Sequence, residues 1–253
     1  MVHDDRNSMT FRRIALKDTG STNDEARSRI ADVAEHAFVV TAERQLQGRG
    51  RRGRDWISPP GNLYASFAFD PARPVGELPE LSFVAALAVC DMARDYVPDP
   101  GAVRCKWPND VLIDGAKLSG ILLETAAMEA GRLAVIVGIG VNIASKPADT
   151  PYPAVALGDL VDGIAVETVL AGLSGHLRDW VAVWQSEGFQ AIRKAWLARA
   201  DGMGEPVVAR LPDREVHGIF AGLAEDGALV LETGGGDVVR IAAADVFRPN
   251  PQE

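Results

Sequence analysis

The chain has 253 residues, 47% of them hydrophobic, with 26 basic against 35 acidic side chains and a formal charge of −9. That length and apolar content support one large domain and a small one. The negative balance excludes loose, charge-driven nucleic-acid binding, and no apolar run approaches the length of a membrane span.

Residues 1–10 are polar and expected to fray, and the first six lack the apolar stretch of a signal peptide. Residues 11–16 read as a first strand. Gly20-Ser21-Thr22-Asn23-Asp24-Glu25 follows. Thr22 with Glu25 three positions on fits a capping box, so a helix is expected over 23–34. Ser21, Thr22 and Asn23 would either cap that helix or gather hydroxyls, an amide and free N–H groups for a polar ligand head.

The run 37–42 reads as a buried strand leading into Gly48-Arg49-Gly50-Arg51-Arg52-Gly53-Arg54. Three glycines allow close backbone approach and positive φ. Four arginines supply fixed charge and planar donor forks. Between residues 43 and 55 five arginines face two acids, a local +3 within an acidic chain. Such concentration suits a small anionic ligand. The arginines would repel one another until an anion arrives, which predicts a loop that orders on binding. It is not a phosphate loop, because no G-x-x-x-x-G-K-[ST] string occurs. Trp56 and a strand over 62–67 follow.

After a proline-punctuated loop, Leu81, Val84, Ala85, Ala88, Val89, Met92 and Tyr96 mark a core helix over 80–97. Cys90 and Cys105 form neither a disulfide framework nor a metal motif; their apolar surroundings predict buried free thiols in a reducing cytosol. Residues 103–107 read as a strand stopped by Pro108, 111–113 as a second, Asp114-Gly115 as a tight hairpin turn, and 117–125 as a third strand. Alternation would put Lys117 and Ser119 on one face, with Gly120 leaving room beside it. The apolar run 133–143 is expected to be a central strand, with Gly138 and Gly140 removing side chains and Asn142 at its end. Two helices are expected over 166–187 and 189–200. Beyond Met203, short strands over 206–211, 215–223, 228–231 and 238–241 predict a small antiparallel barrel. The expected domains are 1–203 and 204–253.

Five blocks stand in order: Ser21-Thr22-Asn23; Gly48 to Arg54 with Trp56; Lys106-Trp107-Pro108-Asn109-Asp110; Lys117 to Glu124; and Gly138 to Asn142. This ordered set, with the small C-terminal unit, closely resembles the biotin protein ligase family. The resemblance implies an α+β fold: a mixed sheet with flanking helices, akin to class II aminoacyl-tRNA synthetases, then an SH3-like barrel. It implies an enzyme that converts biotin and MgATP to biotinyl-5′-AMP and transfers biotin to a lysine of a biotin carboxyl carrier protein domain. Residue by residue, it implies that Ser21, Thr22, Asn23, Gln45, Arg49, Gly50, Arg51, Lys117, Gly120 and Gly138 bind biotin or its adenylate. Arg51, Arg52, Arg54, Trp56, Asn109 and Asn142 would serve ATP or the adenylate, with Lys117 and Arg51 as catalytic cations and no protein metal site. Some relatives carry an acid just before the Ser-Thr-Asn block, where this chain has Gly20.

About 20 residues precede Ser21, too few for the helix-turn-helix of repressor-type relatives, so no DNA binding is expected. A cytoplasmic location and a monomer or homodimer are expected. The alternatives are a lipoate or octanoate ligase of the same superfamily, an arginine-loop RNA-binding module, and an inactive biotin sensor. The full Gly/Arg string and the C-terminal unit favour biotin over lipoate; the acidic charge speaks against RNA. Arg51, Asn109 and Lys117 together speak against an inactive sensor.

Overall fold

The computed structural model describes residues 9–34, 37–148, 150 and 152–249; most of the segment expected to fray lies outside them. In chain order the elements are β1 (Arg12–Thr19), α1 (Thr22–Ser28), β2 (Phe38–Gln45), β3 (Leu63–Phe69), α2 (Leu81–Arg94), β4 (Val103–Lys106), β5 (Asp110–Ile113), β6 (Ala116–Ala127) and β7 (Leu133–Val141). Then come α3 (Val166–Glu187), α4 (Phe189–Leu197), β8 (Pro206–Arg210), β9 (Glu215–Leu223), β10 (Leu229–Glu232), β11 (Val238–Ile241) and β12 (Asp245–Phe247). The first seven strands form one mixed sheet in the order β1-β2-β3-β7-β6-β5-β4. Only the β1–β2 pair in it is parallel.

The sheet has two unlike faces because side chains alternate along each strand. On β7, Val135, Val137, Ile139 and Val141 join the main core with α2 and α3, as do Phe67 and Phe69 of β3. α2 is buried almost all round, which its run of Leu, Val, Ala and Met makes possible. The opposite face carries a smaller cluster in which Ala134 and Ile136 of β7 pack with Phe38, Val40 and Ala26. Continuing along β7 on that face, the next two positions are Gly138 and Gly140. The apolar cover therefore stops there and a cleft begins.

Several expectations are corrected. The helix over 23–34 is α1, ending at Ser28, followed by a 3-10 turn over Ile30–Ala34. Ser21, not Thr22, is its N-cap, extended at φ −152°, and no side chain caps it. The capping box fails because Gln45 of β2 takes the Thr22 N–H and hydroxyl instead. Lys117 and Ser119 do not share a face. The β5–β6 register shifts between Val111 and Leu112, with Val111 opposite Ser119 and Leu112 opposite Lys117. The extra residue leaves Ser119 on the core side and Lys117 over the cleft. The hairpin at Asp114-Gly115 forms, with φ of 50° and 74°, as a two-residue turn of this type requires.

The C-terminal strands pair antiparallel in the order β11-β10-β9-β8-β12. Among the described residues these strands form the small antiparallel C-terminal unit expected, without pairing of its two edge strands. Its edges are β11 and a fifth strand, β12, that three residues of sequence gave no pattern to reveal. Among the described residues no helix is long and apolar enough to cross a membrane.

Candidate active site

The cleft lies on the glycine-bearing face of the sheet between α1, the 48–54 loop and the start of β6. Its floor is bare backbone for a steric reason. A Cβ at Gly138 would lie 2.3 Å from Asn23 Oδ1, and one at Gly140 2.4 Å from the Trp56 indole. A Cβ at Gly120 would lie 2.8 Å from Trp56 Cζ3. Trp56 thus lies flat on two strands that only glycine makes flat enough, with its Nε1 buried and unpartnered among the described residues.

One end of the cleft is neutral and tightly bonded. The Thr22 amide and hydroxyl donate to Gln45 Oε1 at 2.8 and 3.0 Å. Gln45 Nε2 donates to Ser58 Oγ at 3.0 Å, whose hydroxyl donates to the Trp56 carbonyl at 2.7 Å. Ser66 Oγ lies 2.8 Å from Thr22 Oγ1 and 2.6 Å from Asn23 Oδ1. Asn23 Nδ2 donates to Glu124 Oε2 at 2.8 Å. Ser21, Thr22 and Asn23 are all buried. This network fixes which donors and acceptors a ligand head can meet.

The other end is cationic. The loop closes on itself: the Gly50 amide donates to the Arg54 carbonyl at 2.7 Å and the Trp56 amide to the Gly48 carbonyl at 2.9 Å. Its tip is a 3-10 turn over Arg51–Gly53 in which Arg52 takes φ 57°. Arg49 forms a two-pronged pair with Asp24 at 2.7 and 2.6 Å, and that guanidinium holds the Asp24 carboxyl below the usual aspartate range. Arg51 donates to Asn109 Oδ1 at 3.2 Å. It is the most buried of the four, and burial depresses its guanidinium from the ordinary value without discharging it. Asn109 is fixed by β6: its Nδ2 donates to the Ile121 carbonyl at 2.7 Å. Lys117 Nζ lies 2.9 Å from Asp110 Oδ1. That carboxylate oxygen has no aligned donor, so the contact is charge attraction, not a directed hydrogen bond. The ammonium also lies 5.5 Å from the Trp56 ring centre and 5.2 Å from that of Tyr152.

The cleft brings together Ser21, Thr22, Asn23, Gln45, Arg49, Gly50, Arg51, Arg54, Trp56, Asn109, Lys117, Gly120 and Gly138. Two residues marked from sequence stand apart. Arg52 points to the C-terminal sheet, 3.4 Å from Asp245. Asn142 is a clamp: its Nδ2 donates to the carbonyls of Lys117 and Val155, outside the main cleft.

Ser66, Ser58 and Glu124 were missed. Ser66 shares its strand face with Ala68 of the α1-side cluster, so strand alternation could have flagged a buried hydroxyl there. Lys106 stands in the sequence only as part of the block that ends at Asp110. It lines a second recess beside the first, where its ammonium sits 5.5 Å from the Phe247 ring centre of β12, and burial lowers its pKa.

A cleft that is neutral at one end and cationic at the other can hold a small amphipathic acid with its carboxylate beside a nucleotide phosphate. That makeup, on a mixed sheet ahead of a small antiparallel sheet, defines a carboxylate-activating ligase. Residues 15–142 match the biotin/lipoate A/B protein ligase family, and residues 202–248 match the biotin protein ligase C-terminal domain. The chain is 41% identical to a biotin–[acetyl-CoA-carboxylase] ligase of Paracoccus denitrificans over 92% of its own length and 98% of that protein's. It is 32% identical to a bifunctional ligase/repressor of Bacillus subtilis, over 89% and 70% of the two chains. Its structure resembles that of an Aquifex aeolicus biotin protein ligase in complex with biotin and ATP, with a TM-score of 0.81 at 26% identity, covering 94% of this chain and 99% of that one. The chain belongs to the biotin/lipoate A/B protein ligase family.

Proposed function

We propose that this chain, an ATP-dependent biotin protein ligase, uses the two ends of its cleft for the two halves of its chemistry. The carrying observation is the gradient from a bonded neutral network at Thr22, Asn23 and Gln45 to fixed cations at Arg51 and Lys117 across a glycine floor. The neutral end suits the ureido ring, which needs paired donors and acceptors. Gly138 and Gly120 let Asn23 and the Trp56 ring sit low on the sheet, which would leave the cleft above them for the acyl chain. At the cationic end the biotin carboxylate approaches the α-phosphate of ATP, and two anions repel. Arg51 and Lys117 would screen that repulsion and stabilise charge gathering on the pentavalent phosphorus.

In the first step a carboxylate oxygen bonds to the α-phosphorus, the bond to the bridging oxygen breaks, and pyrophosphate leaves with the electron pair. In the second, the uncharged amine of a carrier lysine attacks the acyl carbon, AMP departs, and the amine gives up a proton. Arg52 and Arg54 would face the outer phosphates and Trp56 the nucleotide side. Among the described residues no three His, Cys, Asp or Glu side chains group as a metal cage. Asn109 Oδ1 is taken by Arg51; Asp110, whose Oδ1 has no aligned donor, would be the oxygen ligand offered to Mg²⁺ arriving with ATP phosphates, the usual way this hard cation binds. It would supply neutralising charge.

The carrier proposed is a biotin carboxyl carrier domain, in keeping with the acetyl-CoA carboxylase named for the Paracoccus relative. A cytoplasmic setting and a monomeric or homodimeric state complete the proposal. The test is mass spectrometry of a carrier domain from the same source, incubated with the chain, biotin, ATP and Mg²⁺. One added biotin on one lysine is expected, with pyrophosphate released; an unmodified carrier would refute the proposal.

A further inference from the structure

The loop's two outer arginines do not reach into the main cleft together. Both are held from outside the ligase sheet by one carboxylate. Asp245, on edge strand β12 of the C-terminal sheet, lies 3.0 Å from Arg54 Nη2 through Oδ1 and 3.4 Å from Arg52 Nη1 through Oδ2. Each oxygen takes one arginine, so both lone-pair faces are engaged. The Arg52 backbone is left-handed, φ 57°, a conformation costly for a side chain of its size. Its side-chain partner is that same carboxylate. Arg51 is also affected: Asp245 is the leading charge that offsets the burial of its guanidinium.

We propose that Asp245 is a positioning residue that acts as an intramolecular stand-in for phosphate, holding Arg52 and Arg54 until a polyphosphate takes them over. This rests on the reading of these arginines as phosphate ligands given above. A carboxylate and a phosphate oxygen are interchangeable partners for a guanidinium fork. Asp245 takes one Nη of each arginine, and a phosphate oxygen that takes the same N–H must displace it. Asp245 therefore lowers the nucleotide affinity of the loop while cancelling the mutual repulsion of its arginines. The arrangement also ties occupancy of the nucleotide site to the contact between loop and C-terminal sheet. A ligand that takes the arginines loosens that contact, and by linkage whatever pulls the C-terminal sheet away raises nucleotide affinity by the same factor.

The competing outcome is distinct. If Asp245 served to aim the arginines at the phosphates, its removal would weaken nucleotide binding instead. The charges facing it decide between the two. Lys106, in the recess that Asp245 and Arg54 also line, is a further cation, whose burial is partly offset by the charges of Asp110, Asp201 and Asp245. Removal of Asp245 leaves Arg52, Arg54 and Lys106 toward an incoming polyphosphate, with Asp110 the carboxylate that remains in the recess.

The test is biotin-dependent ATP–pyrophosphate exchange by the full chain, with Asp245→Asn, Asp245→Ala and Asp245→Glu, each at varied ATP and varied biotin. Asn and Ala should lower the KM for ATP about three- to fivefold, the worth of exposed ion pairs of this kind, with kcat and the KM for biotin unchanged. Glu should keep the wild-type KM. In an Arg52→Ala/Arg54→Ala background, Asp245→Asn should change nothing further, because the carboxylate acts through those arginines. An ATP KM that is unchanged or raised in both Asn and Ala overturns the proposal. So does a fall that persists without the arginines, which would mean direct repulsion of phosphate. Absence of exchange by the unaltered chain would instead refute the ligase chemistry itself.

Discussion

The two ends of the cleft are built by different physics. At the α1 end, Thr22, Asn23, Gln45, Ser58, Ser66 and Glu124 are joined by short hydrogen bonds, and the three residues that open α1 are buried. Breaking such a network leaves buried polar groups unpaired, at about 1–3 kcal/mol each. At the loop end, the cations are held by ion pairs in which Arg49 and Arg54 stay 39% and 54% exposed. Pairs that open to water are worth about 0–1 kcal/mol. On the proposed reading, recognition of a neutral ring would rest on a fixed pattern, and handling of an anion on partners that exchange cheaply. Four arginines in seven residues do not stand free. Each has an acceptor supplied by α1, Asn109 or β12, which answers the repulsion the sequence implies.

The sharpest test of the division is Lys117, which belongs to the cationic end yet is only 16% exposed. Lys117→Ala should slow adenylate formation by about 2–4 kcal/mol, the size of a lost contact to developing charge. Single-turnover formation of biotinyl-AMP reads it directly. The melting temperature should move little, because the β5–β6 bulge places the side chain over the cleft and not in the core. A mutant that adenylates at the wild-type rate would show that Lys117 only pairs with Asp110 and shields the Trp56 ring.

The next effect down belongs to the neutral end. Gly138→Ala puts a methyl 2.3 Å from Asn23 Oδ1. Asn23 cannot yield without losing Ser66 and Glu124 as partners. A cost of about 1–3 kcal/mol is expected from the overpacking, seen both as lower stability to urea and as a raised KM for biotin. The KM for ATP should stay near wild type. If biotin binding is untouched, Asn23 is not part of a fixed pattern and the contrast between the ends fails.

Gly138 also shows how much could be read before any coordinates. The cleft residues that come from contiguous blocks, such as Ser21 to Asn23 and Arg49 to Arg51, were legible because a motif gathers them. The main sheet was legible because strands buried on both faces read as apolar runs. What the sequence withheld were relations between strands. The bulge that turns Lys117 away from Ser119 depends on pairing with β5, not on any residue in β6. Ser66 looks like one small polar residue in an apolar strand until its face is known. Asp245 sits in a strand of three residues, too short to alternate visibly, and its arginine partners lie 191 and 193 positions away.

The smallest effect, and the one that most directly probes the loop, concerns Asp24. Arg49 holds its carboxyl below the ordinary aspartate value, chiefly through a two-pronged hydrogen bond, against the opposing effect of burial. A carboxyl whose folded pKa is depressed adds stability above its unfolded value, about 4, and loses it as pH falls through the folded value. Asp24 side-chain exposure is 50%, so water screens most of the attraction and the contribution should stay under about 1 kcal/mol. Asp24→Asn should therefore shift the urea midpoint slightly at pH 7, and the difference from wild type should vanish once the pH falls below the depressed folded value. High salt at pH 7 should shrink it as well. Trypsin cleavage after Arg49 should rise in the same variant, since the guanidinium loses its anchor on α1 while the Gly50–Arg54 backbone bond persists. A loss of several kcal/mol, or one indifferent to salt and pH, would mean that Asp24 and Arg49 form part of the rigid pattern, and the boundary between the two ends of the cleft would have to be redrawn on the far side of Arg49.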